Sequence, residues 1–207
     1  MRLYFVRHGE SQANILHVIS NRGMVHGLTE KGRQQATALA AELRDANIKQ
    51  IYSSPLLRAL QTAEILSQAL GAPIEITDAL REFDCGIAEG RADQAAWDLH
   101  QNVMREWFEN KNWDARIEQG ESFNDLRNKF VPFMERAIKE HAPSDNLVFI
   151  MHGAVAVCML PLVFTNIDQP FVANHSIDNA RYALAETTPD GLMCRNWFRL
   201  AIEAKFE

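Results

Sequence analysis

Two short stretches of uninterrupted apolar residues, Leu3-Tyr4-Phe5-Val6 and Leu147-Val148-Phe149-Ile150-Met151, place the tightest limit on how this chain folds. A strand that is apolar at every position has no face for water. Each run must therefore lie inside a sheet covered on both sides by other elements. Ile48–Tyr52 and Ile74–Thr77 read as further short strands. Between them the apolar residues change to a helical period. Ala36, Leu39, Ala40 and Leu43 recur at i, i+3, i+4 and i+7. Leu126, Phe130, Phe133 and Ala137 share one side of a helix read over Ser122–Glu140.

Another helix opens at Ser54-Pro55, with serine as N-cap and proline at the first helical position, and buries Leu56, Leu60, Ala63 and Leu70. One more runs from about Asp93 to Phe108, and Tyr182–Glu186 with Met193–Phe198 flank the turn signal Pro189-Asp190-Gly191 as a hairpin. The alternation predicts an α/β three-layer sandwich: a mostly parallel sheet flanked by helices, with a largely helical insertion at about 85–145. No repeat or linker divides the chain, and 207 residues at 47% hydrophobic suit a single domain over 1–207.

The formal net charge of −6 disfavours nucleic acid or an anionic membrane as partner. No stretch is long and apolar enough to span a bilayer, and the apolar opening is too short for a signal-peptide core. The three cysteines, Cys85, Cys158 and Cys194, show no metal-ligand spacing. The expected compartment is the cytoplasm. Oligomeric state is left open, a homodimer included.

Chemistry gathers where strands end. Arg7-His8-Gly9-Glu10-Ser11 follows the first apolar run directly, and His152-Gly153 follows the other. Open α/β sheets hold ligands beyond the carboxyl ends of their strands. Arg58 falls in the first turn of the helix opened by Ser54-Pro55. Two histidines, two arginines and a helix N-terminus at one sheet edge suit a phosphate dianion, because guanidinium forks and free N–H groups both donate to its oxygens.

These residues and their order resemble the histidine phosphatase superfamily, also called phosphoglycerate mutase-like. The segments that carry the resemblance are Val6-Arg7-His8-Gly9-Glu10-Ser11 with Asn14, Leu28-Thr29-Glu30-Lys31-Gly32 with Gln35-Ala36, and Tyr52-Ser53-Ser54-Pro55-Leu56 with Arg58-Ala59 and Gln61-Thr62-Ala63. Leu80, Glu82, Gly86, Glu89-Gly90, Gly120-Glu121-Ser122 and His152-Gly153 follow in order. The resemblance implies a phosphomonoester hydrolase of the phosphatase-type branch, with His8 as nucleophile and a transient phosphohistidine. It implies that Arg7, Arg58, His152 and Gly153 hold the phosphoryl group, with Asn14 as an additional contact, and that Glu82 is the proton donor. It further implies a small phosphorylated metabolite as substrate, with no metal and no cofactor.

His8 must be neutral to attack, so its far ring nitrogen needs an acceptor, expected to be a backbone carbonyl. A protonated or donating His152 would help to meet charge on the phosphoryl oxygens. Two alternatives stay open: a phosphomutase using the same constellation, and a non-catalytic phosphate-binding module. Ser20-Asn21-Arg22-Gly23, expected at the mouth, does not resemble the usual mutase segment.

Cys85 to Arg91 matches the cysteine-five-residues-arginine spacing of another phosphatase loop, but Asp84 and Glu89 oppose a thiolate there, and the match reads as chance. His17 and His26 have no ligand-like spacing to His8 and His152; His100, His141 and His175 read as surface or structural. Trp97, Trp107, Phe108 and Trp113 read as core, with one or two at the cleft rim. Either Asn174-His175-Ser176 or Asn179-Ala180-Arg181 fills the segment leading into the hairpin; in the second case Arg181 is expected to read a second anionic group. The segment 91–119 is expected to form a lid that sets specificity.

Overall fold

A computed structural model describes residues 1–202. Seven strands form one sheet in the order β3-β2-β4-β1-β5-β6-β7. Its parallel half contains β1 (Arg2–Arg7), β2 (Ile48–Ser53), β3 (Ile74–Ile76) and β4 (Asn146–Met151). Antiparallel to β1 runs β5 (Tyr182–Thr188), followed by β6 (Gly191–Trp197) and a two-residue β7 (Leu200–Ala201). The two apolar runs are neighbours at the centre, paired from Arg2 with Asn146 to Arg7 with Met151.

Period-two alternation divides their side chains between two cores. Leu3, Phe5, Leu147, Phe149 and Met151 face α5 (Phe123–Lys139) and α6 (Gly153–Val163), a side that also includes buried residues of α4 (Gln94–Phe108). Tyr4, Val6, Val148 and Ile150 face α2 (Glu30–Glu42) and α3 (Leu57–Leu70). The sheet is thus covered on both faces, as the uninterrupted apolar runs require. Between β3 and β4 the chain is helical and irregular, without a strand, which is the expected insertion.

Several local features differ from the sequence expectation. Helix α3 starts at Leu57 with Leu56 as its N-cap, not at Ser54-Pro55. The Ser54 hydroxyl instead accepts from the Leu56 N–H and bonds to His152, so it is committed one turn early. The buried stripe of α3 is Ala59, Thr62, Ala63 and Leu66, while Leu60 and Leu70 are half-exposed. Three helices have no hydrophobic period of their own. Helices α1 (Gln12–Leu16) and α7 (Gln169–Ala173) are five residues each, too short for a period. Helix α6 is apolar nearly all round and contains Pro161, so no amphipathic stripe marks it.

The loop after β1 is fixed by close backbone contact with the start of α2. Thr29 caps α2 by accepting from the Gly32 N–H, and the Glu10 N–H donates to the Gln35 side chain. A Cβ on Gly9 would lie 2.5 Å from the Gly32 carbonyl oxygen, and one on Gly32 would overlap the Glu10 carbonyl. Two backbones therefore meet where no side chain fits. Gly32→Ala is expected to lower stability by about 2 kcal/mol or more, because the Glu10 backbone must shift to admit one methyl; urea unfolding of the variant beside the wild-type protein measures it.

Candidate active site

The register that pairs Arg7 with Met151 puts the next residues, His8 and His152, side by side, with ring centroids 5.0 Å apart. Both are almost fully buried, as are Arg58 and Glu82, with residue exposures of 2%, 1%, 6% and 9% respectively. These residues come from four points in the chain: the ends of β1 and β4, the first turn of α3, and the loop after β3. His8, Arg58 and Glu82, with Arg7, Asn14 and Gly153, line a cavity of about 230 Å³, and His152 lies beside His8 behind it.

The His8 ring has one tautomer imposed on it. Its Nδ1 lies 2.7 Å from the Gly9 carbonyl, which can only accept, so Nδ1 carries the proton. Nε2 is then a bare lone pair, and it accepts from Arg58 Nε–H at 3.1 Å. Burial, with Arg58 and Arg7 adding to it, holds the imidazolium well below its usual range, so the ring is neutral. The expected backbone acceptor is therefore the carbonyl of the adjacent residue.

His152 carries the opposite bias. The buried Ser54 hydroxyl accepts from the Leu56 N–H, and among the described residues His152 Nε2, 2.7 Å away, is the one acceptor in reach of its proton. Donation in that sense leaves a single polar group unpaired, whereas the reverse would leave both the hydroxyl proton and Nδ1 unpaired. The remaining nitrogen, Nδ1, then bears the ring hydrogen and has no protein partner. Burial and the nearby Arg58 keep this ring neutral too. Of the two states anticipated for His152, the geometry favours the neutral donor over the protonated ring. Arg7 presents a second buried donor without a partner, Nε, while its Nη1 donates to the Ile177 carbonyl at 2.6 Å. Two of the three orphaned buried side-chain nitrogens among the described residues thus belong to this one cluster; the third, Trp197 Nε1, is in the core.

Arg58 donates from Nη1 to the Ser20 carbonyl at 2.7 Å, and its Nη2 reaches the Asn21 side chain at 3.5 Å. Its pKa is lowered to about 10, chiefly by burial. Ser20 and Asn21 do sit at the cavity, and Glu89 orders them by accepting from the N–H groups of Asn21 and Arg22. Glu82 closes the other side. Its Oε2 accepts from Ala154 N–H and its Oε1 from Val155 N–H, both at 2.9 Å, and Oε1 also accepts from Phe83 N–H. The carboxyl therefore caps α6, the helix that the sequence did not announce. Burial raises its pKa, against those N–H bonds and Arg58. Asn14 lines the cavity with its Oδ1 already used by the Ser11 N–H and hydroxyl, which leaves its amide NH₂ available. A Cβ on Gly153 would lie 3.6 Å from Arg7 Nε, an ordinary contact, so this glycine is not sterically required.

Asn179, not Asn174, fills the segment leading into the hairpin: its side chain donates to the His8 carbonyl, and Ala180, at φ +50°, donates its N–H to the carbonyls of Arg7 and His8. The next residue corrects an expectation. Arg181 turns away to Glu42 at 3.4 Å and lines neither cavity at this edge, so it is not placed to read a second anion. Cys85 is fully buried with its sulfur beside Asn21, burial pushes its thiol well up, and Arg91 pairs with Asp93 at the surface; no anion loop forms there. Sequence reasoning placed Ser20 and Asn21 at the mouth, offered Asn179 as one of two alternatives and allowed an aromatic such as Trp97 at the rim. It read Ser54 as a helix cap and His100 as surface or structural, because those two acquire their roles only from tertiary neighbours.

The sequence pattern of the histidine phosphatase superfamily (branch 1) matches residues 3–199. The chain belongs to that superfamily. The Escherichia coli protein named probable phosphoglycerate mutase GpmB is 31% identical over 163 residues, which cover 79% of this chain and 74% of its own length. Among solved structures, the alpha-ribazole phosphatase from Shigella flexneri superposes over 100% of both chains with a TM-score of 0.78 at 23% identity. A mycobacterial glucosyl-3-phosphoglycerate phosphatase gives 0.78 at 23% over 97% of this chain and 99% of its own. Bacillus stearothermophilus YhfR gives 0.82 at 23% over 97% and 98%. These structural likenesses establish the shared histidine phosphatase fold. Among the described residues no helix is long and apolar enough to cross a membrane, and no group of three or more His, Cys, Asp or Glu is arranged to hold a metal.

The buried neutral histidines give stability a pH dependence of known sign. Unfolded, His8 and His152 protonate near 6.5; folded, they resist it. Below about pH 6.5 the unfolded chain therefore takes up protons that the fold refuses, and stability falls by up to about 1.4 kcal/mol per pH unit for each ring. Glu82 acts oppositely: its contribution is present at low pH and is lost as pH rises through its raised folded pKa. The slope measured by urea unfolding between pH 7 and 5 is expected to flatten in His8→Gln.

Proposed function

We propose that this histidine phosphatase superfamily member is a phosphomonoester hydrolase that works through a covalent phosphohistidine on His8. The observation that carries the reading is the pairing of one bare, tautomer-locked lone pair at His8 Nε2 with two buried orphaned donors, Arg7 Nε and His152 Nδ1. A phosphoryl group brings oxygens for both donors and an electrophilic phosphorus for the lone pair.

In the first step His8 Nε2 forms a bond to phosphorus as the ester P–O bond breaks. Arg7, Arg58 and His152 Nδ1–H meet the charge on the equatorial oxygens, with the Asn14 amide as a further donor. Glu82 gives its proton to the departing alkoxide. Of its two oxygens Oε1 already accepts two N–H bonds and Oε2 one, so Oε2 has the freer lone pair for that proton. In the second step Glu82 takes a proton from water, whose oxygen attacks phosphorus and releases inorganic phosphate and free His8. The substrate is a small phosphorylated molecule, and no step calls on a metal or organic cofactor.

The phosphomutase alternative gains weight from the name of the Escherichia coli relative. A mutase must retain a substrate bearing a second anionic group while the phosphoryl group is returned. Among the described residues, Arg7 and Arg58 are the arginines or lysines lining the two cavities at this edge, and the proposed mechanism uses both on the phosphoryl group, which favours hydrolysis over transfer.

A single-turnover experiment with an aryl phosphate in chelator, quenched to trap acid-labile phosphoenzyme, tests the central claim. Wild type and Cys85→Ser are expected to accumulate the phosphoenzyme, whereas His8→Ala forms none. Full activity in His8→Ala, or loss of wild-type turnover in chelator, overturns it. Glu82→Gln is expected to lower kcat about 10²–10⁴-fold on an alkyl phosphate. The loss should be smaller on nitrophenyl phosphate, whose leaving group needs no proton.

A further inference from the structure

The cavity above the histidines has two unlike parts. Its floor is charged: Arg7, His8, Arg58 and Glu82. Its wall includes Ala13, Val18 and Ile19 from the chain leaving β1, with Trp97 and His100 from α4, and the polar residues between them, such as Asn14, Ser20 and Asn21, carry no charge. The adjoining cavity of about 540 Å³, which shares Arg7, Gly153 and Ala154, likewise has no arginine or lysine but Arg7 among the described residues, and its one further titratable side chain is His175. The arginines near the mouth are committed elsewhere. Arg22 bonds Asp84 at 2.8 Å, and Arg81 bonds Asp78 and Arg91 bonds Asp93, both at 2.7 Å.

The aromatic part of the wall is fixed in place. Trp97 Nε1 donates to the His17 carbonyl at 2.9 Å, which ties α4 to the end of α1. The His100 ring lies 5.5 Å from that of Trp97 and 5.1 Å from that of Phe83, so it is the middle member of an aromatic row. Burial lowers the His100 pKa, which keeps this ring uncharged at neutral pH.

Resting on the hydrolase reading, we infer that the wall of Ala13, Val18, Ile19, Trp97 and His100 is the subsite for the alcohol half of the ester, and that it selects an uncharged leaving group bearing a planar ring over one bearing a second anionic group. A carboxylate or second phosphate placed there would lose its hydration and find no cation in return. A flat ring gains apolar contact and an edge or offset stack against Trp97. Aryl alcohols and nucleoside-like alcohols have this chemistry; phosphoglycerate-like acids do not.

Calorimetric titration of the wild-type protein with phenylphosphonate, methylphosphonate and 3-phosphonopropanoate tests the inference without needing turnover. Phenylphosphonate is expected to bind roughly tenfold more tightly than 3-phosphonopropanoate. In Trp97→Ala the ratio of phenyl- to methylphosphonate affinity is expected to fall at least about fivefold. Because Trp97 also packs on the core, His100→Lys provides a second arm: a cation in the wall should shift preference toward 3-phosphonopropanoate. Equal or tighter wild-type binding of 3-phosphonopropanoate overturns the inference. So does a phenylphosphonate preference that survives both substitutions. Steady-state assays with 1-naphthyl phosphate and 3-phosphoglycerate separate the two claims. Turnover of neither, with the phosphonate preference intact, removes the hydrolase reading and leaves the subsite; efficient turnover of 3-phosphoglycerate alone removes the subsite and leaves the hydrolase.

Discussion

Everything at the site depends on the in-register parallel pairing of β1 with β4. A one-residue slip would turn Phe5 and Phe149 toward the wrong core, and the apolar side chains on both faces forbid it. The same pairing sets Arg7 beside Met151, and so His8 beside His152, at the carboxyl edge. Packing of the core and placement of the imidazoles are thus one constraint. The Gly9–Gly32 contact transmits it onward, locking the loop after β1 to α2 and leaving His8 little freedom.

Burying two guanidiniums, two imidazoles and a carboxyl together is costly unless each is answered by a specific partner. The fold answers most of them with backbone groups. Carbonyls of Gly9, Ser20 and Ile177 accept from His8, Arg58 and Arg7, and N–H groups at the start of α6 donate to Glu82. Backbone partners neither titrate nor change rotamer; side chains complete the set, Arg58 on His8 and Asn21, and Ser54 on His152. Arg7 Nε and His152 Nδ1 are the two nitrogens of the cluster left without a protein partner.

Much of this was legible in the residues. Strands and amphipathic helices declare themselves through period, and His8, His152, Arg7 and Arg58 converge as their positions after strands and in a first helical turn implied, whereas Glu82 was indicated only by the family resemblance. Helix α6 was not legible, because an element buried nearly all round has no polar stripe to read. Ser54 was misread as an N-cap for a physical reason: a hydroxyl next to proline has the right chemistry for a cap, and only the tertiary fold reveals that His152 takes its proton. Arg181 shows the converse. It follows closely on Asn179, which supports the His8 backbone, yet strand geometry turns its side chain to Glu42.

The bond from Arg58 Nε to His8 Nε2 has a consequence for chemical selectivity. It masks the one lone pair that could react, so the imidazole is guarded while Arg58 stays in place. An electrophile with anionic oxygens can draw the guanidinium onto itself and unmask the nitrogen in the same movement. A neutral acylating or alkylating reagent has nothing to offer Arg58 and meets a protected ring. In this geometry the guanidinium covers the reactive lone pair, and an oxyanion is the kind of group that can compete with that nitrogen for its N–H.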